Sequence, residues 1–185
     1  CWRGGLRSQI AHQWIQDIGK DVLRVEGGYK SLRNLALETL KKPRDYVVIG
    51  GPTGSGKTPL LKQISNHVDL EGLANHRGSA FGLELGTTQP NQATFENHLL
   101  LELYKRYSET LLEDESQLIG NRRLPKELYT KMSEAPRVVI TMAMEERCSN
   151  IVTDYVQEPL DRNPQAKSQL EDYFLLALSR IKDRL

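Results

Sequence analysis

The 185 residues carry 25 Lys and Arg against 24 Asp and Glu, a formal charge of +1, with 38% hydrophobic and 26% charged residues, the balance of an ordinary globular chain with a sizeable core. No stretch approaches the roughly 18 consecutive apolar residues of a membrane helix, so no membrane-spanning helix is expected. Two cysteines, Cys1 and Cys148, give no disulfide framework, so a cytoplasmic protein under reducing conditions is expected.

The first residue is Cys and the chain enters a motif with no strand before it, so a domain cut short at its start is expected. Ser8 to Ile18 has apolar residues at Ile10, Ala11, Trp14, Ile15 and Ile18, a helical spacing closed by Gly19. Asp21 to Val25 reads as a short strand, Gly27-Gly28 as a turn and Tyr29 to Leu40 as a second helix ending before Pro43. Tyr46 to Ile49 is a β-branched strand that feeds a glycine-rich loop, and a helix follows over Pro59 to Ile64. Further strands are expected at His67–Leu70, Thr110–Leu112 and Arg137–Thr141. Helices are expected at Gln92–Tyr107, Pro125–Ser133, Glu145–Val156 and Pro164–Leu185. Strands alternating with helices imply an α/β domain with a mostly parallel sheet covered on both faces. Residues 1–58 hold ten basic side chains against five acidic ones, and residues 59–185 fifteen against nineteen. The basic first part suits a polyanion, or plain solubility.

Gly51-Pro52-Thr53-Gly54-Ser55-Gly56-Lys57-Thr58 matches G-x-x-x-x-G-K-[ST] at every fixed position, between a strand and a helix. Glycines there let backbone N–H groups converge on phosphate oxygens, and the helix start adds positive potential. The phosphate-binding set is therefore Gly51, Thr53, Gly54, Ser55, Gly56, Lys57 and Thr58, with Lys57 on the outer phosphates and the Thr58 hydroxyl on Mg²⁺. Glu113-Asp114-Glu115 follows an apolar run where such a domain needs an acid for the hydrated metal, and Asp114 is the expected one. Asp69 to Ser79 ends a strand in carboxylates and continues as a donor-rich loop, so His76 and Arg77 are candidates for an anionic second substrate and Asp69 for a base or metal partner. Arg122 and Arg123 lie before a proline-started helix, as in a lid that closes on phosphates. Solvated loops are the bland alternative for each of these three stretches. Cys1 heads a glycine-containing loop, Cys1 to Ser8, that runs into a helix, a setting that lowers a thiol pKa and cradles an anion, although core packing is an equal alternative. Cys148 reads as structural.

Together these segments resemble the tRNA 2-selenouridine synthases, a bacterial and archaeal family that joins a rhodanese-like domain to a P-loop domain. The resemblance runs through nearly the whole chain. It rests on Cys1-Trp2-Arg3-Gly4-Gly5-Leu6-Arg7-Ser8, Glu26-Gly27-Gly28-Tyr29-Lys30, the P-loop, Asp69 to Ser79 and Glu113 to Ser116, of which Asp69 to Ser79 is the most family-specific. The resemblance implies the C-terminal remnant of a rhodanese-like domain over residues 1–42 and a P-loop NTPase-like three-layer domain over 43–185. It implies Cys1 as the rhodanese catalytic cysteine. Arg7, six residues on, gives a C-x5-R spacing that cysteine phosphatases also use. The implied reaction converts the wobble 2-thiouridine of tRNA to 2-selenouridine through an S-geranyl intermediate, with geranyl diphosphate and selenophosphate as co-substrates. Geranyl diphosphate or ATP would occupy the P-loop. A chain with half of the first domain is expected to bind ligand without completing the exchange. A stand-alone P-loop small-molecule kinase with Asp69 as base, and a nucleotide-gated binding module without chemistry, remain the competing readings.

Overall fold

In the computed structural model, residues 1–82, 86–105 and 109–182 are described. They divide into two compact units, Cys1–Pro43 and Arg44–Leu185.

The first unit has two helices, α1 (Leu6–Asp17) and α2 (Gly28–Lys41). The expected strand at Asp21–Val25 is absent and the segment is irregular. Strand character is realised only through a ladder partner, and none of the described strands lies in this unit. Arg24 instead ties the segment down, one guanidinium nitrogen donating to Gly4 O at 2.8 Å. Gly4 and Gly28 both take left-handed backbone and approach so closely that a Cβ on Gly28 would collide with the backbone of Gly4 and Cys1. Glycine is required there on both counts. The apolar stripe read in the sequence is on α1, yet none of that helix is buried, and Trp14 is 68% exposed.

The second unit is built on a four-stranded parallel sheet in the order β2-β3-β1-β6. The strands are β1 (Tyr46–Gly50), β2 (His67–Val68), β3 (Thr110–Glu113) and β6 (Arg137–Val139). The α/β class and the parallel sheet agree with the sequence reading. Its core is Val48, Ile49, Val68 and Leu112 from the sheet with Leu61, Leu70, Phe95, Leu99, Leu103 and Leu128 from the helices, all buried. Each such side chain contributes roughly 1.5–3 kcal/mol by leaving water. The central strand β1 has β3 on one side and β6 on the other, so the loop after it opens at the carboxyl end of the sheet, where α/β sheets bind ligands.

Several elements differ from expectation. The helix after the glycine loop, α3, starts two residues early and is short, Lys57–Leu61. Strand β2 stops at Val68 because Asp69 caps a helix, its carboxylate accepting from Gly72 N at 2.6 Å, and α4 (Leu70–Ala74) follows. Helix α5 (Gln92–Tyr104) is capped by Asn91, which accepts from Thr94 N, and its expected last residues, 106 and 107, lie outside the described ones. The expected arginine loop is a hairpin, β4 (Leu118–Ile119) with β5 (Arg122–Arg123), turning at Gly120 with φ +58°. Helix α6 covers Lys126–Glu134. The single helix expected after β6 is α7 (Met144–Val152), a π-helical turn (Thr153–Gln157) and α8 (Glu158–Arg162). Helix α9 (Lys167–Ile181) ends the described chain. Among the described residues no helix is long and apolar enough to cross a membrane.

Candidate functional site: a phosphate loop backed by carboxylates

The loop from Gly51 to Gly56 leaves β1 and turns back into α3 by placing Gly51, Gly54 and Gly56 at φ +147°, +78° and +79°. Gly51 and Gly54 are both tightly enclosed, a Cβ on Gly51 coming within 2.6 Å of Ile140 O. A Cβ on Gly54 would come within 2.6 Å of Arg147 O and 2.9 Å of the Ile151 side chain. The helix after the loop has only five residues, so the loop's own N–H groups and Lys57 supply the attraction for an anion rather than a helix macrodipole.

Lys57 Nζ lies on the loop, donating to Gly51 O at 2.8 Å and Pro52 O at 3.4 Å. The Thr58 hydroxyl donates to Glu113 Oε1 at 2.9 Å and faces Glu71 Oε2 at 3.4 Å. Glu71 N donates to the other Glu113 oxygen at 3.1 Å. Ser55 Oγ is buried with no hydrogen-bond partner among the described residues, an orphaned donor within the loop. Such a group costs free energy until something accepts from it.

Glu113 is completely buried. Burial, reinforced by the charge of Glu71, pushes its carboxyl up to about 7, against the hydrogen bonds from Glu71 N and Thr58. Glu71 and Glu115 are raised as a pair, by burial first and then by neighbouring carboxylate charge, and they share a hydrogen bond. Lys57 acts on both in the opposite direction. Three carboxyls therefore converge beside one ammonium and one hydroxyl, an excess of negative charge that a cation would relieve.

The acid beside Thr58 is thus Glu113, not the expected Asp114. Strand β3 runs one residue further than expected, to Glu113, and successive side chains on a strand face opposite ways. Asp114 points across Gly50 to Arg137, with which it pairs at 3.0 Å. The signal was in the sequence, since any of three adjacent acids qualified. The donor set fits Mg²⁺, a hard cation held by few protein oxygens and completed by phosphate and water. No group of three or more His, Cys, Asp or Glu among the described residues is arranged to hold a metal unaided.

The remaining candidates are placed as follows. Asp69 is occupied as the α4 cap and pairs with Lys62 at 3.3 Å, which removes it as a free base. Arg77 is turned toward the π-helical turn: it donates to Asp154 O at 2.6 Å, pairs with Glu158 at 3.4 Å and covers the Tyr155 ring at 5.3 Å. It is therefore engaged by protein groups rather than presented to an anion. His76 is lowered by burial and its Nδ1 has no partner among the described residues. Its ring fits against Gly82 and Gly120, where a Cβ would approach within 2.9 and 2.6 Å. Arg123 donates to Gln117 at 3.1 Å within the hairpin. Arg122 is half-buried with Nε unpartnered among the described residues. In the first unit, Cys1 and Arg7 line a cavity of about 610 Å³ together with Ser8, His12, Arg24 and Tyr29. Cys1 Sγ is 3.2 Å from Ser8 Oγ. Cys148 is exposed on α7, not core. Arg147, Asn150 and Tyr155 were missed, because nothing in local spacing announces contacts made across seventy or more residues, and Glu71 was missed because its contacts to Thr58 and Glu113 are made across 13 and 42 residues.

Residues 44–185 match the family described as the tRNA 2-selenouridine synthase AAA domain. Among curated proteins, the chain is similar to a tRNA 2-selenouridine synthase of Marinobacter nauticus, with 44% identity over all of this chain and 54% of the relative. A synthase of the same name from Pseudomonas aeruginosa is 47% identical over 84% of this chain and 44% of the relative. One from Shewanella frigidimarina is 42% identical over 86% and 45%. The chain spans about half the length of the curated relatives it matches. No solved structure matches it.

Proposed function

The chain belongs to the tRNA 2-selenouridine synthase family, and we propose that its phosphate loop holds a substrate diphosphate while the wobble 2-thiouridine of a tRNA is converted to 2-selenouridine. The observation that carries this reading is the Lys57–Thr58–Glu113 arrangement behind a loop whose glycines leave backbone N–H groups for phosphate oxygens. A diphosphate would draw Lys57 off the carbonyls of Gly51 and Pro52, accept from the orphaned Ser55 hydroxyl, and bring Mg²⁺ to Thr58 and Glu113.

The occupant is the diphosphate of geranyl diphosphate or that of ATP. With geranyl diphosphate, the sulfur of 2-thiouridine forms a bond to the terminal carbon of the geranyl group, the carbon–oxygen bond breaks, and diphosphate leaves with the electron pair. Lys57 and the loop amides would stabilise the charge that develops on that leaving group. Selenium of selenophosphate then forms a bond to C2 of the uridine, the C2–S bond breaks and geranylthiol leaves, and water takes the phosphoryl group from selenium as phosphate. The Cys1 loop, with Arg7 beside it, is the C-terminal part of a rhodanese-like domain over residues 1–42 in this reading and serves that second half.

Calorimetric titration with ATP and with geranyl diphosphate, on the wild type and Lys57→Ala, tests the assignment. Binding of one ligand and a loss of at least about 100-fold in the variant are expected, the order of a charge-assisted contact to phosphate with its desolvated surroundings. No binding of either ligand, or equal binding by the variant, removes the phosphate-site reading. ATP turnover without tRNA would turn it toward the kinase.

A further inference from the structure

The phosphate loop is gripped from outside by α7. Arg147 Nε donates to Thr53 O at 3.1 Å and Asn150 Nδ2 donates to Gly54 O at 2.9 Å. The two donors are three residues apart on one helix and share a face. The second amide proton of Asn150 is directed at Met142 Sδ, 3.2 Å away, so the side chain is held by both protons. A trans peptide points its C=O and N–H in opposite directions. Drawing Thr53 O and Gly54 O outward therefore turns the Gly54 and Ser55 amides to the opposite, inner side of the loop; Ser55 N there donates to Pro52 O at 3.1 Å, a bond that a phosphate oxygen would replace.

We propose that Arg147 and Asn150 are positioning residues for the phosphate site, aiming the Gly54 and Ser55 peptides at the bound diphosphate by fixing two carbonyls on the loop's outer side. The inference rests on the reading of Gly51–Thr58 as a diphosphate site.

Two further observations support it. Helix and loop touch without clearance, since only a glycine at 54 escapes Arg147 O and Ile151. The other end of α7 is also secured. It passes directly into the π-helical turn Thr153–Gln157, a rare geometry frequent at functional sites. Arg77 holds that turn through Asp154 O, Tyr155 and Glu158, while Ser79 Oγ meets the Tyr155 hydroxyl at 3.0 Å. The segment from Asp69 to Ser79 thus braces the helix that aims the loop.

Titration of the intact chain with inorganic pyrophosphate and Mg²⁺ tests the proposal. Asn150→Leu, nearly isosteric and without a donor, and Arg147→Ala each weaken binding about tenfold, the order of one lost hydrogen bond to a preorganised group. Arg147→Lys, which keeps a donor, recovers most of the loss. A merely structural role would lower the melting temperature, leave the affinity unchanged at 25 °C and show no recovery with lysine. Wild-type affinity in both Asn150→Leu and Arg147→Ala, with Lys57→Ala still abolishing binding, overturns the positioning role and leaves the diphosphate site standing. No pyrophosphate binding by the wild type overturns both. A second measurement needs no variant: pyrophosphate shifts the Gly54 and Ser55 amide proton resonances downfield in the wild type, and unshifted amides overturn the proposal.

Discussion

Two loops in this chain lead through glycine into a helix, Cys1 to Ser8 before α1 and Gly51 to Thr58 before α3, and their surroundings differ in every respect that matters for chemistry. The second loop has Val48, Leu61 and Glu113 fully buried around it, with Ser55 nearly so, and its carbonyls are taken by Lys57, Arg147 and Asn150. The first has an exposed thiol and precedes a helix with no buried residue. The single proton of its Ser8 hydroxyl has two claimants, Gly5 O at 2.9 Å and Cys1 Sγ at 3.2 Å. When that proton goes to Gly5 O, the thiol must be the donor to Ser8; a thiolate would draw it back. A hydrogen bond away from water is stronger and holds its geometry. The phosphate loop is thus a site whose shape precedes its ligand, whereas the cysteine loop shares one hydroxyl proton between two acceptors at an exposed surface.

The largest test of that contrast is Gly54→Val. A left-handed φ of +78° is strained for any residue with a Cβ, and this one meets the backbone carbonyl of Arg147. The expected cost is about 3 kcal/mol of stability, together with loss of pyrophosphate binding. Urea unfolding and calorimetry on the same variant measure both. A variant that folds and binds normally would mean that the loop is pliable rather than preformed.

The next effect is a pH dependence. Glu113 holds its proton up to about 7 in the folded chain against an ordinary value of 4.5, by burial first and then by the charge of Glu71. Its contribution to stability is therefore fully present below about 4.5 and is lost as pH rises through about 7. Glu71 and Glu115 are raised in the same direction. Without ligand, the chain should be more stable at pH 5.5 than at pH 8 in urea unfolding. Glu113→Gln, neutral at every pH, should remove about 2 kcal/mol of that difference. A profile unchanged by the substitution would show that the carboxylate cluster does not control it.

How far the two loops were legible in the sequence differs in the same way. The P-loop is a contiguous string, and its strand, turn and helix follow from β-branched residues, glycines and Pro59 in order. The parallel sheet followed from the alternation of elements. What supports the loop was not legible. Glu113 stands beside Thr58 only because β3 runs one residue further than its apolar run, and Arg147 and Asn150 reach Thr53 and Gly54 across ninety-odd residues. Asp69 was read as a base because a carboxylate after a strand suits one, yet in the fold it caps a helix, accepting from Gly72 N. The π-helical turn was not read in the sequence either; Arg77, seventy-seven residues away, donates to Asp154 O within it, and Pro159, which has no N–H to donate, follows it. Asp21 to Val25 failed for the opposite reason: its local pattern was right for a strand and no partner strand was present among the described residues.

The smallest expected effect separates the two loops most directly. In the proposed function the thiol serves the replacement of sulfur and the P-loop serves the diphosphate, so the two substitutions should act on different measurements. Cys1→Ser keeps a hydroxyl within reach of Ser8 Oγ, removes the nucleophile, and should leave the pyrophosphate affinity within about twofold of wild type, below the tenfold that a factor of 1.4 kcal/mol represents. Lys57→Ala, in turn, should leave the rate of Cys1 alkylation by iodoacetamide unchanged once Cys148, also exposed, is removed as Cys148→Ser. A pyrophosphate affinity that falls tenfold in Cys1→Ser would couple the loops. The thiol would then have to be part of the diphosphate site itself, and the division of labour between the two units would be wrong.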